Sequence, residues 1–477
     1  MKKTKLVFVP SPGVSHLIST VELSKRLTER DDQLSIFVLV ISSPVGPDSE
    51  SYTQEVAASN TSIQFINIPK ADPNLSEALS SPENFYALYL ESHRSYVKTA
   101  IIDQVLVSES ITSLAGIVVD LFCSSMVDVA NELGVPSYVF FTSGSAYLGF
   151  LFYLPIHYSQ NGREFETSDS DSIIPTYSHP VPSKVIPSLA FNKHGGYSSF
   201  IKHATKFKET KGIIINTFAE LEPHAVDRLK FDAETPPIYT VGPLLDLEGR
   251  KREPDHETIM KWLDDQPPSS VVFLCFGSMG SFEPDQLAEM ALALERSGYR
   301  FLLSVRLSKV FTKGTGEHSN ISEMLPQGFL ERIENRGLVS SWAPQMEVLA
   351  HEAVGGFVSH CGWNSILESL WHGVPVATWP VYAEQQINAF ELVRELELAM
   401  DLKMDYRMEN AKNLVMAEEI EKAIRCLMDT ENPTRKRVQE MKEMSRKAIE
   451  NGGSSFISLG RLTEDMHINI GKEKGSF

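Results

Sequence analysis

A polar turn follows a buried apolar run at residues 355–365, where the sequence reads GGFVSHCGWNS. A stretch with helical periodicity begins directly after it. Unpaired backbone N–H groups and the dipole at a helix start favour an anion, and Gly362 lets the backbone approach it closely. His360, Asn364 and Ser365 could therefore hold a phosphate group. A helix cap formed by Asn364 or Ser365 explains the same residues without any ligand.

Groups that bind hydroxyls surround this turn in the sequence. Glu368 lies one helical turn beyond Asn364, and its carboxylate could accept hydrogen bonds from a pair of ribose hydroxyls. Other apolar runs end in side chains of related chemistry: Ser278 in FGSMGSF, Trp342 and Gln345 in SWAPQ, and Glu384 and Gln385 in YAEQQ. Together these are the parts needed for a base, a diphosphate, a ribose and a sugar. A Trp at a strand end is, however, more often part of a core than a ligand platform.

A histidine and an aspartate in the first half of the chain could form a catalytic pair. His16 stands in PSPGVSHLIST, at the mouth of the first apolar run, and Asp120 ends the run in GIVVDLF. Taken singly, each residue is more often a helix cap or a satisfied polar group. If the two meet, Asp120 would orient the imidazole of His16 and stabilise its charged form, which is the arrangement of a general base.

Apolar runs alternate with amphipathic stretches through almost the whole chain. The runs of the first half are KLVFVP, LSIFVLVIS, SIQFINIP, LAGIVVD and PSYVFFT, and those of the second half are VVFLCFGS, YRFLLSVR, GLVSSW, VGGFVSH and PVATWP. Buried runs without strict alternation suit parallel strands that helices cover on both faces. The sequence therefore predicts an α/β fold of two Rossmann-like, doubly wound parallel-sheet domains. Ligands of such sheets bind at the carboxyl ends of the strands, where the candidate residues lie.

The segment ETPPIYTVGPLLDLEGRKREPDHE marks the boundary between the two domains, because paired prolines, a Gly-Pro turn and a charged run follow one another in it. We expect an N-terminal domain over residues 1–245, a linker over 246–257 and a C-terminal domain over 258–455. A C-terminal segment over residues 456–477 is expected to pack back on the N-terminal domain.

Length and composition bound the class of protein. A chain of 477 residues exceeds a single usual core, and its 42% hydrophobic and 22% charged residues fit a soluble globular protein. The formal charge of -18 argues against a general binder of nucleic acids or anionic membranes. We see no apolar run long enough to span a bilayer, and the four cysteines have no metal-ligand spacing. We expect free thiols, a cytoplasmic location and a monomer.

Four stretches resemble the plant secondary-product UDP-glycosyltransferases. Residues 342–385, WAPQMEVLAHEAVGGFVSHCGWNSILESLWHGVPVATWPVYAEQ, are similar to the signature box of that family, and FGSMGSF, LPQGFLER and YTVGPLLDLEG also resemble it. The likeness covers nearly the whole chain, and a box of this length is a specific signal. It implies a GT-B fold that binds a UDP-sugar in the C-terminal domain and an acceptor in the N-terminal domain, with no metal or other cofactor.

Carried over by position, the resemblance assigns the donor contacts mostly to this box. The implied contacts are Trp342 and the backbone of Ala343 for the uracil, Gln345 and Glu368 for the ribose, Ser278, His360, Asn364 and Ser365 for the diphosphate, and Trp363, Glu384 and Gln385 for the sugar. A final Gln in the box resembles the glucose users of the family. The donor implied is therefore UDP-glucose.

The resemblance also implies the reaction. His16 would take the proton of the acceptor hydroxyl as its oxygen attacks the anomeric carbon, and Asp120 would stabilise the imidazolium. A single displacement inverts that carbon and gives a β-O-glucoside. The sequence most resembles the branch that glycosylates flavonoids and other small phenolic or terpenoid aglycones, so we expect a flavonoid or other phenolic acceptor. A terpenoid, a carboxylate that would give a glucose ester, and a non-catalytic nucleotide-sugar binder are the alternatives.

The acceptor residues are the least determined. Ser15 stands where the family usually has Gly, and it could either add a hydrogen bond or narrow the pocket. Flat partners for an aromatic acceptor are expected among four phenylalanines of the first half: Phe85, Phe122, Phe150 and Phe191. Any of them could instead belong to the core, which is the commoner fate of Phe.

Two rival enzyme classes leave weaker traces in the sequence. A metal-dependent glycosyltransferase would want a DxD pair, and SDSDS supplies Asp169 and Asp171. This segment is rich in Ser and Asp and follows no strand, which favours a solvated loop. A nicotinamide-dependent oxidoreductase also fits a doubly wound fold, but no GxGxxG follows any of the apolar runs.

Overall fold

The computed structural model describes residues 4–44, 50–60, 62–71, 81–107, 111–247, 255–307, 324–408 and 414–473. Most of the expected linker 246–257 and the last four residues of the expected segment 456–477 lie outside the described residues. Within these ranges the chain forms two α/β units, each built around a parallel sheet.

The first unit contains a seven-stranded sheet in the order β3-β2-β1-β4-β5-β6-β7, with every strand parallel to its neighbours. Its strands are β1 Thr4–Val9, β2 Leu34–Ile41, β3 Ile63–Ile68, β4 Leu114–Asp120, β5 Ser137–Phe141, β6 Ile213–Ile215 and β7 Ile238–Thr240. Its helices are α1 Val14–Arg30, α2 Glu50–Ser59, α3 Pro82–Glu91, α4 Arg94–Ala100, α5 Val127–Leu133, α6 Ser145–Asn161, α7 Gly196–Phe207 and α8 Pro223–Phe231.

The second unit contains a six-stranded parallel sheet in the order β12-β10-β8-β13-β14-β15, and β9 pairs with β11 beside it. Its strands are β8 Val271–Cys275, β9 Ser281–Phe282, β10 Arg300–Ser304, β11 Arg306–Leu307, β12 Gly337–Ser340, β13 Val354–Ser359, β14 Val376–Thr378 and β15 Ala399–Asp401. Its helices are α9 His256–Asp264, α10 Pro284–Ser297, α11 Phe329–Arg332, α12 Gln345–Ala350, α13 Trp363–His372, α14 Gln385–Phe390, α15 Ala417–Met428, α16 Pro433–Ile449 and α17 Ser454–Glu473.

The apolar runs form these sheets because helices cover both faces of the strands. In β1, Leu6 and Phe8 pack on one face with Leu17 of α1, whereas Val7 and Val9 join the core on the opposite face. Burial on both faces explains why the strand sequences lack clean alternation of apolar and polar residues. The predicted α/β fold of two doubly wound parallel sheets is confirmed.

The strand order of each sheet reverses once, and these reversals place the site. In the first sheet, successive strands are added on one side of β1 up to β3 and on its other side from β4 onward. In the second sheet the same change of side falls between β8 and β13. Loops that leave adjacent strands at such a point move apart and open a crevice at the carboxyl ends. Asp120 ends β4, and the segments after β1, β8 and β13 carry His16, Ser278 and His360 respectively.

The last helix packs against the first unit. The Tyr239 hydroxyl in β7 donates to Asp465 Oδ2 of α17 at 2.6 Å, and His467 Nε2 lies 2.9 Å from Asp31 Oδ2. Leu462 shares a buried cluster with residues of the first sheet. These contacts tie the end of the chain to the N-terminal half, while the exact domain bounds given above stay predictions. No helix in the described ranges is both long enough and apolar enough to cross a membrane.

Candidate active site

The predicted His16–Asp120 pair forms at the carboxyl ends of two adjacent strands. Asp120 is the last residue of β4, and His16 lies in the first turn of α1, which begins directly after the turn that leaves β1. His16 Nδ1 lies 2.8 Å from Asp120 Oδ2. The other carboxylate oxygen, Oδ1, accepts hydrogen bonds from Ser11 Oγ at 2.5 Å and from the Phe122 backbone N–H at 3.1 Å. The carboxylate is therefore held at both oxygens.

The surroundings of His16 favour its protonated form. Burial is the largest single influence and lowers the pKa of His16, but the charges of Asp120 and Glu384, with the hydrogen bond to Asp120, raise it more, so that the pKa lies above 6.5. The His16 side chain is 22% exposed and that of Asp120 1%. Because Asp120 fixes Nδ1 as the protonated nitrogen, Nε2 is the atom that can accept a proton from a substrate.

Glu384 and Gln385 approach the pair from the second unit. Ser143 Oγ, just after β5, donates to Glu384 Oε1 at 3.5 Å. The negative charge of Glu384 raises the pKa of His16. The Gln385 side chain is 2% exposed, and its Oε1 accepts the backbone N–H groups of Val381 at 2.8 Å and Tyr382 at 2.9 Å. The structure thus brings Glu384 close to the predicted base, whereas Gln385 holds the turn beside it, and the contact of both residues with a sugar stays a prediction.

His360 is held in a cradle of two glycines at the predicted phosphate turn. A Cβ atom added to either Gly277 or Gly362 would lie 2.6 Å from His360 Nε2, which is closer than real Cβ atoms come. Burial lowers the pKa of His360 to about 4, so its ring is neutral at pH 7. Among the described residues, nothing forms a hydrogen bond with its buried Nδ1. An unpartnered buried polar atom in a cleft fits a ligand that completes it.

The predicted ribose residues form one network beside this turn. Gln345 Nε2 donates to Ser365 Oγ and to Glu368 Oε2, both at 2.7 Å. Burial raises the pKa of Glu368 to about 7, against the lowering effect of the Gln345 hydrogen bond. Asn364 instead reaches the first unit, where its Nδ2 donates to Ser19 Oγ of α1 at 3.3 Å.

The predicted uracil platform lies at the end of β12. Trp342 is half-buried and Ala343 is buried. The Ser340 hydroxyl fixes the turn, because its Oγ lies 2.5 Å from the Trp342 carbonyl oxygen and accepts the Trp342 N–H at 3.2 Å. Ser278 is exposed in the turn after β8. These positions leave the Trp342 ring partly open to solvent, as a stacking platform requires.

Trp363 occupies the junction between the two units. Its side chain is 2% exposed, and its Nε1 donates to the Asn216 carbonyl oxygen at 2.7 Å. A Cβ atom on Gly144 would lie 2.7 Å from Cη2 of the ring. The indole therefore packs against the first unit, and its predicted contact with the sugar stays a prediction.

The four candidate phenylalanines differ in their burial and in their contacts. Phe122 is half-buried, and its ring meets that of His16 edge-on at 5.7 Å between centroids. Phe85 is half-buried on α3, and Phe191 is half-buried with the Arg407 guanidinium 5.6 Å from its ring centroid.

Phe150 differs, because it is 0% exposed and packs in the main core of the first unit. This position fits the core alternative for Phe150, and its place in the acceptor pocket stays a prediction. Ser15 is exposed in the first turn of α1, directly beside His16 in the chain.

Several polar residues at the cleft were not singled out from the sequence. Ser11 bonds to Asp120, and Thr142 Oγ1 lies 3.2 Å from His16 Nδ1. Ser143 and Asn216 contact the second unit. Ser11 and Thr142 follow β1 and β5 closely, so the rule that directed attention to strand ends could have found them.

The alternative metal site is already occupied by protein groups. Both oxygens of Asp169 pair with Arg163, at 2.5 and 3.1 Å, and Oδ2 also accepts the Glu166 N–H at 2.8 Å. In the ranges that the structure describes, no group of three or more His, Cys, Asp or Glu side chains could hold a metal ion. That the reaction needs no metal stays a prediction.

Two parallel-sheet units, with the His16–Asp120 pair at the strand ends of one and the predicted donor residues at the strand ends of the other, have the architecture of a GT-B glycosyltransferase. Residues 209–429 match the family described as UDP-glucoronosyl and UDP-glucosyl transferase. The chain is 49% identical to UDP-glycosyltransferase 71K1 of Malus domestica, over 98% of this chain and 99% of that one. The protein belongs to the UDP-glycosyltransferase family.

Further relatives agree over the same length. UDP-glucose flavonoid 3-O-glucosyltransferase 6 of Fragaria ananassa is 46% identical, over 98% of this chain and 99% of its own. The crystal structure of Medicago truncatula UGT71G1 complexed with UDP-glucose is 47% identical, with a TM-score of 0.89, and the match covers 97% of this chain and 98% of that chain. The predicted family and enzyme class are confirmed.

Proposed function

We propose that the protein transfers glucose from UDP-glucose to a hydroxyl of a small aglycone, a flavonoid or other phenolic, and releases a β-O-glucoside. The observation that carries this proposal is the His16–Asp120 pair, 2.8 Å apart, with the Phe122 ring against the base and Glu384 facing it from the donor side. The flavonoid glucosyltransferase of Fragaria ananassa and the UDP-glucose complex of the Medicago truncatula protein support this choice of acceptor and donor.

The dyad supplies the activation that a phenol needs. A phenolic hydroxyl, with a pKa of about 10, is mostly protonated at neutral pH. Nε2 of His16 takes its proton as the oxygen attacks the anomeric carbon from the side opposite the leaving UDP. Asp120 stabilises the imidazolium through the hydrogen bond to Nδ1. Such a base contributes about 10²–10⁴-fold in rate, and a single displacement inverts the anomeric carbon.

The leaving diphosphate is stabilised by uncharged donors. The neutral His360 ring, the Asn364 and Ser365 side chains and the first N–H groups of α13 converge at the turn after β13. Fixed donors in a desolvated cleft stabilise developing negative charge without reorganising. We therefore propose a reaction that needs no metal, with Trp342 and Ala343 on the uracil and the carboxylate of Glu368 on the ribose hydroxyls.

The setting of the protein is proposed on the same chemistry. All four cysteines are free thiols, as suits a reducing compartment. We place the enzyme in the cytoplasm, in the glucosylation of secondary metabolites, and expect a monomer, because donor and acceptor residues of one chain meet in one cleft.

The test is a reaction of purified protein with UDP-glucose, EDTA and a panel of flavonoid, simple phenolic, terpenoid and carboxylate acceptors. We expect UDP release with phenolic acceptors, a product heavier by one glucose, and a β configuration by NMR. His16→Ala should abolish the product, whereas His467→Ala, which removes only the contact of an exposed histidine of α17 with Asp31, should not.

Three outcomes would each change a different part of the proposal. UDP-glucose binding without turnover of any acceptor would make the protein a non-catalytic binder. Activity that EDTA removes and Mn²⁺ restores would require a metal. Exclusive turnover of terpenoids or carboxylates would reassign the acceptor.

A further inference from the structure

We infer that Ser11 is a positioning residue of the dyad, which acts through Asp120 and does not touch the substrate. This inference rests on the proposed function. The Ser11 side chain is buried, and its Oγ donates to Asp120 Oδ1 at 2.5 Å. A hydrogen bond to a charged carboxylate is short and stronger than one between neutral groups.

The fold delivers Ser11 to Asp120 by strand pairing. β1 and β4 are parallel neighbours, and Val9 lies opposite Val119. The chain then leaves β1 through Pro10, Ser11 and Pro12, and each proline fixes its own φ near -65°. A hydroxyl presented from this stiff turn reaches across to the aspartate at the end of the next strand.

Each carboxylate oxygen of Asp120 then has its own task. Oδ2 accepts from His16, while Oδ1 accepts from Ser11 and from the Phe122 N–H. With the hydroxyl present, rotation of the carboxylate about its Cβ–Cγ bond would break hydrogen bonds on both sides. Without the Ser11 hydroxyl, Oδ1 loses one of these two donors and keeps the hydrogen bond from the Phe122 N–H. The carboxylate can then turn away from His16.

The ionisable groups around the dyad simplify the test. Ionised groups that face His16 are Asp120 on β4 and Glu384 of the second unit. Three further titratable groups nearby stay neutral near pH 7. Burial raises the pKa of Tyr86 on α3 and of Cys123 in the turn after β4 above their ordinary values. Burial lowers the pKa of His203 on α7 to about 4. A change in the pKa of His16 therefore reports on Asp120 or Glu384.

The experiment measures the pKa of His16 directly and the rate separately. Imidazole signals of histidine-labelled full-length protein are titrated by NMR, and the His16 signal is assigned by its loss in His16→Ala. In Ser11→Ala we expect the pKa of His16 to fall toward or below 6.5, because the looser carboxylate supports the imidazolium less. We also expect kcat to fall about tenfold, with the KM for UDP-glucose unchanged.

Two variants separate positioning from packing. Ser11→Thr keeps the hydroxyl and should restore both the pKa and the rate, since a small hollow lined in part by Ser11, Val40 and Ile41 offers room for the methyl group. Ser24→Ala removes another buried serine hydroxyl, which bonds only within α1 to the Thr20 carbonyl in the contacts described, and should change neither quantity.

A double-mutant cycle decides whether Ser11 acts through Asp120. In the Asp120→Asn background, Ser11→Ala should have no further effect on the pKa of His16 or on kcat. An equal loss in both backgrounds, or an unchanged His16 pKa in Ser11→Ala, would overturn the inference. The NMR titration needs no turnover, so it tests Ser11 even if the acceptor panel gives no product and the proposed function fails.

Discussion

At the scale of single residues, the chemistry depends on which groups are charged in the cleft. Asp120 and Glu384 raise the pKa of His16, while burial lowers the pKa of His360 and raises that of Glu368. Near neutral pH this leaves a histidine that can hold a proton at the predicted base and an uncharged histidine at the predicted diphosphate turn. The two histidines are therefore suited to opposite tasks.

The pH profile should report the pKa of His16. Only the neutral imidazole can accept a proton, so kcat at saturating UDP-glucose should rise with pH through a midpoint above 6.5 and then level off. Asp120→Asn removes the nearest charge, and burial then dominates. We expect the midpoint to move below 6.5 and kcat to fall about 10²–10⁴-fold. Initial rates between about pH 5 and pH 9 measure both effects, and a rate loss with an unmoved midpoint would contradict this account of the pair.

Donor binding should depend on the ionisation of Glu368. The ionised carboxylate accepts two ribose hydroxyls better than the acid does, and the pKa of the empty site is about 7. Linkage then makes UDP-glucose bind about tenfold more weakly at pH 6 than at pH 8. His360, with a pKa of about 4, does not titrate in this range.

Calorimetric titrations at these two values test the Glu368 prediction. Glu368→Gln should bind UDP-glucose more weakly and lose the pH dependence. Glu352→Gln changes an exposed carboxylate near α12 and should keep it. If the dependence persists in Glu368→Gln, another group controls donor binding.

Strand ends explain which site residues the sequence reveals. His16, Asp120, Glu384 and Gln385 all follow or end strands, and a buried apolar run shows where a strand stops. Phe150 is harder to assign from the sequence for a physical reason: α6 is apolar on nearly all sides, so periodicity does not show which face meets the cleft.

At the scale of elements, the long strands and the short β14 were predictable, whereas the other short strands were not. The runs KLVFVP and LSIFVLVIS became β1 and β2, whereas the three-residue strands β6, β7 and β15 were absent from the predicted set. Three residues cannot display a period, and prolines beside β7 suggested only a loop. These strands are recognised by their pairing with neighbouring strands in the sheet, and a sequence alone does not show that pairing.

The turn after β8 gives a prediction at this scale. Gly277 has φ +74°, and a Cβ there would lie 2.6 Å from His360 Nε2. The His360 ring is also confined by Gly362, where an added Cβ would again lie 2.6 Å from Nε2. Gly277→Ala should therefore displace His360 and weaken UDP-glucose binding by at least about tenfold, the value of one hydrogen bond to a charged group.

Gly298 provides the matched control for backbone strain. It has φ +73° at the end of α10, and an added Cβ would meet nothing within 4 Å. Gly298→Ala should share the strain of about 1–2 kcal/mol and the lower melting temperature, yet bind UDP-glucose normally. Equal loss of affinity in both variants would show that strain, and not the histidine cradle, controls the site.

At the scale of the whole molecule, polar contacts join the two units. The Trp363 N–H bonds to the Asn216 carbonyl oxygen, and Arg407 donates to the Ser188 hydroxyl at 2.9 Å. Asn364 meets Ser19 across 345 positions of sequence. No local pattern encodes such distant pairs, so the sequence predicted a cleft without predicting how its walls touch.

Two carboxyl groups are buried together at this junction. Glu222 of the first unit and Glu391, just after α14, are each 2% exposed. Glu222 Oε1 accepts the Ala146 N–H at 2.8 Å, which favours its ionised form. Burial and the neighbouring Glu222 raise the pKa of Glu391 well above its ordinary value. The neutral form of Glu391 is therefore favoured in the folded protein.

This proton links the stability of the folded molecule to pH. In the unfolded chain Glu391 releases its proton at about pH 4.3, whereas in the folded chain it releases it only at a higher pH. The stabilisation is thus complete below the unfolded value and is lost as pH rises through the folded pKa. Burial also raises the pKa of Glu222, which adds a weaker dependence of the same sign.

Glu391→Gln should separate the contribution of Glu391 to the pH dependence of stability from that of the other ionisable groups. The amide stays uncharged at every pH, so the variant should match the wild type at about pH 4 and melt roughly 1–3 °C higher near pH 8. Glu29→Gln, at an exposed position of α1, should leave the wild-type slope unchanged. Thermal unfolding across this range measures the difference. A variant less stable than the wild type at pH 8 would mean that Glu391 is ionised in the folded protein, and the junction would then have to hold two buried charges in contact.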